Sequence, residues 1–387
     1  MLASFGDELK ALRKQHQLTV AQLATRIGYS APYLKKIEAG LRAPTDPIAQ
    51  ACDTALGTAP LLQTLLSIER GDPMLRRALL AGGFAAALLA ADSTAALAQA
   101  LAYSSTPGGQ DWDGTVADFT RRHLLGPGPQ FGPEIAAGIK IAQHAATGGD
   151  QDAGRAAARL ALIYGLWLGD LGRLPSAHTL YTVAAKIADA GADTATRALV
   201  RARAANRGIY EGWSAIRTDD TITEALHLYP REAAGLEAHA ARVHLAALTG
   251  DLAAGRTAVA AMNRIADTMP EPAGHQRTAD FACYLECRLG TMHDATRAYE
   301  HAETVLAKVP LWRVDARLAY AGALTRTGDH RTGAAVALEA IRSQVVPVRV
   351  LGVCVADVLH QAGTIRTDAL TELAGYATAG PHPWDTI

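Results

Sequence analysis

The chain has 387 residues, too many for one compact core and enough for two or three domains. Hydrophobic residues make up 49% and aromatics only 5%, and the net charge of -1 identifies no nucleic-acid or membrane partner by bulk attraction. Four cysteines (Cys52, Cys283, Cys287, Cys354) are too few and too scattered for a disulfide framework, which suits a reducing cytoplasm. Ala-rich runs such as 153–168 and 236–248 carry helix formers, and no convincing alternating apolar/polar segment occurs. An all-α protein is expected.

The first residues, Met1 to Glu8, lack the basic start and apolar core of a signal peptide. Phe5, Leu9 and Leu12 have the spacing of one face of a helix running to Gln15. Thr19 can N-cap a second helix, Val20 to Ile27, with Leu23, Ala24 and Ile27 inward and Gly28 closing it. Ser30 can cap a third, with Pro32 in its first turn, where a missing N–H costs little, and Leu34 and Ile37 inward. Gly40 ends that helix, and a fourth follows over about Asp46 to Leu56. Seven basic residues (Lys10, Arg13, Lys14, Arg26, Lys35, Lys36, Arg42) stand against one acid, Glu38, between residues 10 and 42, a local excess that suits a phosphate-facing surface.

Two short helices joined by a glycine turn, the second rich in lysine, suit the major groove of DNA. Leu18 to Ser30, with Tyr33-Leu34-Lys35-Lys36-Ile37-Glu38-Ala39-Gly40-Leu41-Arg42-Ala43-Pro44, resembles the Xre family of helix-turn-helix regulators, the lambda-repressor and Cro type. The resemblance implies that Ala31, Pro32 and Lys35 fall where bases are read, with Ser30 beside them among the DNA-binding residues. Tyr33, Lys36 and Arg42 fall where phosphates or flanking bases are met, and Thr19 and Gln22 where phosphate contacts gather. Glu38 takes a structural part, pairing with a basic residue of the module. Val20 replaces the Gln common just after the second helix's cap, and Ala31 and Pro32 carry no side-chain donor. Direct base readout is therefore thin, and Lys35, Lys36 and DNA shape carry more of the specificity.

The next stretch imitates an export signal: Arg76-Arg77 precedes an apolar run from Ala78 to Ala91. It follows a complete domain, and Asp92 interrupts it short of a membrane span, so a packing or linker helix is the expectation and no membrane is implied. Turn formers fill 103–133, with a short helix over Trp112 to Leu125 between them. The expected domains are 1–70 for DNA binding, 71–133 as linker helices, and 134–387 as a repeat domain.

Beyond residue 130 helices alternate with glycine turns at Gly169, Gly212, Gly250, Gly290, Gly328 and Gly363, a spacing of one helix pair per repeat. This resembles a tetratricopeptide-type array, an α-solenoid with a concave binding face, although its intervals exceed that family's and its consensus is poorly kept. A Xre module followed by such repeats resembles peptide-sensing quorum regulators, in which inner-helix asparagines hold the ligand. That likeness singles out Asn206, which shares a helical face with Arg203 and Tyr210. Tyr284 and Arg288 form a similar pair, and together they suit a peptide carboxylate and backbone; solvent exposure or bonding between helices is the alternative for each.

Cys283 and Cys287 stand i, i+4 with His293 beyond, but a fourth metal ligand is not evident, and small apolar packing explains them better. No phosphate loop, dinucleotide fingerprint or nucleophile elbow occurs, so neither enzyme nor cofactor is expected. The reading is a cytoplasmic, homodimeric regulator of a double-stranded DNA operator that senses a peptide or small molecule. Its rival is a protein-interaction scaffold or antitoxin-like adaptor, which predicts a stable partner and weak DNA binding.

Overall fold

Side-chain caps open many of the helices, with Thr19, Asp150, Asp193, Ser214, Asp251, Thr291, Asp329 and Thr367 each accepting from a backbone amide of the first turn. The computed structural model describes residues 5–56, 62, 66, 111–125, 130–270, 272–343 and 349–378. The arginine-led run 76–91, the turn 126–129 and the tail 380–384 lie outside the described residues. Among the described residues there are helices and no strands, so the chain is all-α, a helix-turn-helix N-terminus followed by a helical repeat region. The chain divides into two units, 1–110 with 132–141, and 111–131 with 142–387.

The first unit opens with α1 (Phe5–Gln15), α2 (Val20–Ile27), α3 (Ala31–Glu38) and α4 (Asp46–Leu56). Phe5, Leu9, Leu23, Leu34, Ile37, Ile48 and Leu56 are buried together in one small core. Their i, i+3, i+4 spacings put one apolar stripe from each helix against the others. The Asp53 carboxylate is also buried and accepts from the Leu62 amide at 2.9 Å.

The second unit begins with α5 (Trp112–Leu125), and α6 (Phe131–Thr147) crosses the division between the two. Six helical hairpins follow: α7 (Gln151–Asp170) with α8 (Leu174–Gly191), α9 (Thr194–Ile209) with α10 (Ala215–Leu228), and α11 (Glu232–Thr249) with α12 (Leu252–Ala266). Then come α13 (Ala273–Leu289) with α14 (Met292–Val305), α15 (Pro310–Arg326) with α16 (His330–Arg342), and α17 (Arg349–Ala362) with α18 (Asp368–Ala374). The first helix of each pair packs on the first helix of the next, so α7, α9, α11, α13, α15 and α17 line the interior. The α5 helix, within the span read as linker, packs on α7: the Trp112 indole donates to Asp150 at 2.9 Å.

Sequence reading placed the first hairpin's turn at Gly169, but Gly169 is buried inside α7. A Cβ there would collide with the Glu211 carboxylate, so the glycine serves close approach rather than a turn. The turn residue is Gly172, with φ 73°. The Gly-Asp signature does mark hairpin turns: Gly250 closes α11 at φ 80° and Asp251 caps α12 by accepting from the Ala254 amide at 2.9 Å. Gly328 and Asp329 repeat this division of labour before α16. Alanines 202, 205, 238 and 241 are buried between α9 and α11, where their small side chains let the helices approach closely.

The last inner helix returns to the first. The α17 helix packs against α7, and Arg349 Nη1 donates to the Tyr210 carbonyl at 2.8 Å. The inner helices therefore surround a central interior filled by their own side chains.

Candidate nucleic-acid interface

The start of α2 is built by a reciprocal cap. The Thr19 hydroxyl accepts from the Gln22 amide at 3.2 Å, and the Gln22 side-chain oxygen accepts from the Thr19 amide at 2.8 Å. Both residues are exposed, so a rigid helix start faces solvent where a phosphate oxygen can meet it. Gly28 ends α2 at φ 74°, a conformation that only glycine adopts cheaply, and the chain turns into α3.

Ser30 occupies the N-cap position of α3, but its hydroxyl makes no cap hydrogen bond, contrary to the capping role expected for it. The first turn is held instead by Pro32, whose fixed φ suits a helix start, and by Ala31 packing on the core. Pro32, Lys35 and Lys36 are exposed, whereas Leu34 and Ile37 are almost fully buried. One face of α3 is thus anchored, and the other carries its two ammonium groups into solvent.

The Tyr33 ring is half-buried and stacks on Tyr29 with centroids 5.9 Å apart and planes 16° from parallel. The Arg42 guanidinium lies over the Tyr33 ring at 4.5 Å. Tyr29, which sequence reading overlooked, belongs to the same exposed edge as the predicted Tyr33 and Arg42. Its only sequence signal is the i, i+4 spacing to Tyr33 across the helix start.

Arg13 does not belong to the basic surface counted from the sequence. It is buried, and its guanidinium binds Glu38 through two hydrogen bonds of 2.6 and 2.9 Å and the Leu18 carbonyl through a third of 2.7 Å. The Glu38 hydrogen bond, reinforced by its charge against the cost of burial, raises the Arg13 pKa. Lys10, Lys14, Arg26, Lys35, Lys36 and Arg42 remain exposed.

Residues 4–66 match the family model of the helix-turn-helix domain. Over 46 residues the chain is 48% identical to the HTH-type transcriptional repressor RghR of Bacillus subtilis (strain 168), a stretch that is 12% of this chain. The chain thus spans only 34% of the length of that curated relative. No solved structure matches the chain significantly. The helix-turn-helix domain thus has a known counterpart.

In the repeat region the five residues predicted to bind a ligand come close together, but on the chain's own groups. Arg203 Nη1 donates to Glu237 at 2.8 Å, and the Asn206 amide donates to the same carboxylate at 3.2 Å. His244 joins Asn206 to Tyr210: Nδ1 lies 2.8 Å from the Asn206 carbonyl oxygen and Nε2 lies 2.6 Å from the Tyr210 hydroxyl. The tautomer with its proton on Nδ1 donates to Asn206 and accepts from Tyr210. The Tyr284 ring meets the His244 ring edge-on at 4.7 Å, and Arg288 Nη1 meets both Asp357 oxygens at 2.5 and 2.6 Å. Glu237, His244 and Asp357 carried no local signal, because each meets its partner from another hairpin.

The electrostatics follow from burial. Burial and the nearby Arg277 charge hold His244 well below the usual histidine range. Against the opposing effect of burial, Arg203 and Arg277 pull Glu237 down to about 2. Cys283 and Cys287 are buried on α13 with sulfurs 3.8 Å apart. No helix among the described residues is long and apolar enough to cross a membrane.

Proposed function

We propose that this chain is a sequence-specific DNA-binding transcription regulator of the Xre type, acting as a homodimer on a two-fold operator. The observation that carries the reading is the exposed outer face of α3, with Lys35 and Lys36, held behind a capped α2 and a glycine turn. A helix anchored on one side and cationic on the other suits insertion into the major groove, with α2 setting its register on the backbone. The name of the similar Bacillus protein supports the same reading for the 46 residues that match it. Thr19, Gln22 and Arg42 serve as backbone contacts, and Ser30, Lys35 and the Tyr29–Tyr33 edge lie nearest the bases.

The helical hairpins serve as a sensor and dimerisation region of tetratricopeptide-like design. Their interior is filled by the chain's own polar network, so a peptide laid along an open groove is a poorer fit than a small group received at the centre. A ligand preferring one arrangement of the hairpins shifts the spacing of the two DNA-binding heads.

Selection of bound fragments from genomic DNA, followed by titration of the enriched site at several salt concentrations, tests the reading. Lys36→Ala is expected to lower the salt slope by about one phosphate contact, and Lys35→Ala to weaken binding and relax the sequence preference at the base it meets. Failure to enrich any sequence, or unchanged affinity and slope in the double variant, removes it.

A further inference from the structure

The interior of the hairpin region is a strip of buried charge in which carboxylates meet guanidinium groups. Asp170 and Glu211 bind Arg207, Glu237 binds Arg203 and Arg277, Asp280 meets Arg277, and Asp357 binds Arg288. Asp315 on α15 differs. The partner it has is a thiol, with Cys354 Sγ 3.0 Å from its Oδ1, and no guanidinium lies within ion-pair distance among the described residues. A mostly buried carboxylate that feels Arg277 and Arg207 only at a distance, with no guanidinium bonded to it, is costly, and it attracts either a proton or a positive group. Burial indeed pushes the Asp315 carboxyl above the usual range, and the neighbouring Asp280 is pushed the same way by burial and by the Asp315 charge.

Asp315 forms part of the wall of a cavity that Tyr210, Tyr284, Leu318, Cys354 and Asp357 also line. Its free volume of about 20 Å³ has room for one small group rather than a peptide backbone. Asp315, Tyr284, Cys354 and Asp357 keep part of their surface accessible, so solvent reaches the cavity. Two phenol side chains beside a carboxylate that has a thiol but no guanidinium bonded to it make a recognition set for a compact cation, since aromatic rings and carboxylate both favour positive charge where little water competes.

We propose that this cavity is a binding site for a primary ammonium group, with Asp315 as its counter-ion and Tyr210 and Tyr284 as its walls. The head group enters, and the remainder of the ligand, whether a small amine or the N-terminus of a peptide, stays outside. The inference rests on the sensor reading of the hairpins and is independent of the DNA-binding reading. The site joins α9, α13, α15 and α17, the helices around the seam where α17 returns to α7. An occupant there contacts α17 through Cys354 and also Tyr210, whose carbonyl accepts from Arg349.

Calorimetric titration of the full chain, without DNA, with methylammonium and n-butylammonium against n-butanol and butyrate is the test. The ammonium compounds are expected to bind saturably, and the alcohol and carboxylate to give no heat at roughly 10 mM. Asp315→Asn is expected to weaken ammonium binding by about tenfold or more without lowering the unfolding midpoint, because it removes an uncompensated charge and keeps the shape. Tetraglycine with a free or an acetylated N-terminus distinguishes the sources: tighter binding of the free peptide than of butylammonium assigns the site to peptide ends, and the reverse to small amines. No ammonium binding, equal binding of butanol, or a folded Asp315→Asn chain that binds like the natural one overturns the proposal. If that variant does not fold, the contrast between ammonium and alcohol on the natural chain decides alone. Because no DNA is present, failure here leaves the operator reading standing.

Discussion

Arg13 and Glu38 are 25 residues apart in sequence and joined by two buried hydrogen bonds, tying the end of α1 to the end of α3. The third bond, from Arg13 to the Leu18 carbonyl, fixes the loop that leads into α2. One guanidinium therefore orients the start of the helix-turn-helix and the far end of its second helix. Arg13→Ala leaves Glu38 buried and unpaired, at a cost of about 3–5 kcal/mol. Hydrogen–deuterium exchange on peptides from residues 5–56 should show protection falling by more than about a hundredfold, with peptides from 150–340 unchanged. Protection unaltered in the first unit would show that the pair contributes little.

Two glycines of the same domain should respond differently to alanine. Gly28 has φ 74° with open space around a new Cβ, so Gly28→Ala costs about 1–2 kcal/mol of backbone strain. Gly6 has no such conformation, but a Cβ there would sit 2.5 Å from the Ile37 carbonyl oxygen. Backbone must move apart, so Gly6→Ala is expected to cost more than Gly28→Ala, roughly 3 kcal/mol. The same exchange experiment ranks the two variants, and the opposite order would contradict the close packing of α1 on α3.

Tyr33 holds Arg42 by its ring face rather than through its hydroxyl. Tyr33→Phe is therefore expected to leave operator affinity nearly unchanged, whereas Tyr33→Ala loses about 0.5–1 kcal/mol by releasing Arg42. In a double-mutant cycle, Arg42→Ala should cost less in the Tyr33→Ala background than in the natural chain. Strict additivity would show that Tyr33 does not position Arg42.

His244 stays neutral in the folded chain well below the pH at which an unfolded histidine gains its proton. Between those two pH values the unfolded state binds more protons, so this group's contribution to stability falls as pH drops below about 6.5 and is fully present above it. Nitrogen NMR of the His244 ring should show no titration from pH 7 to 5. A ring that charges near 6.5 would show that the network among Asn206, His244 and Tyr210 is open to water.

The Asp280–Asp315 pair acts in the opposite sense. Both carboxyls are raised in the folded chain, so the folded state binds protons first as pH falls toward the ordinary carboxylate range, and this pair's contribution rises on acidification. Asp315→Asn should therefore raise the unfolding midpoint at pH 7 and lose that advantage near pH 4, as the natural chain takes up the proton. A midpoint lowered at pH 7 would show that the Asp315 charge is compensated.

The amino-acid order by itself set the four N-terminal helices, because their boundaries depend on neighbours within a turn or two: Thr19 and Gln22 bonding each other, Gly28 reversing the chain, Pro32 opening α3. The Gly-Asp turns are legible for the same reason. Tertiary structure alone decided that Arg13 leaves the basic surface for Glu38, and that Arg203, Asn206 and Tyr210 spend their polar groups on Glu237 and His244. It also decided that α17 comes back to α7 and that, among the described residues, Asp315 is met by the Cys354 thiol and not by a guanidinium at ion-pair distance. Those outcomes join residues tens of positions apart, and a buried charge takes its partner from whichever helix the packing of apolar stripes brings beside it, which no local pattern encodes.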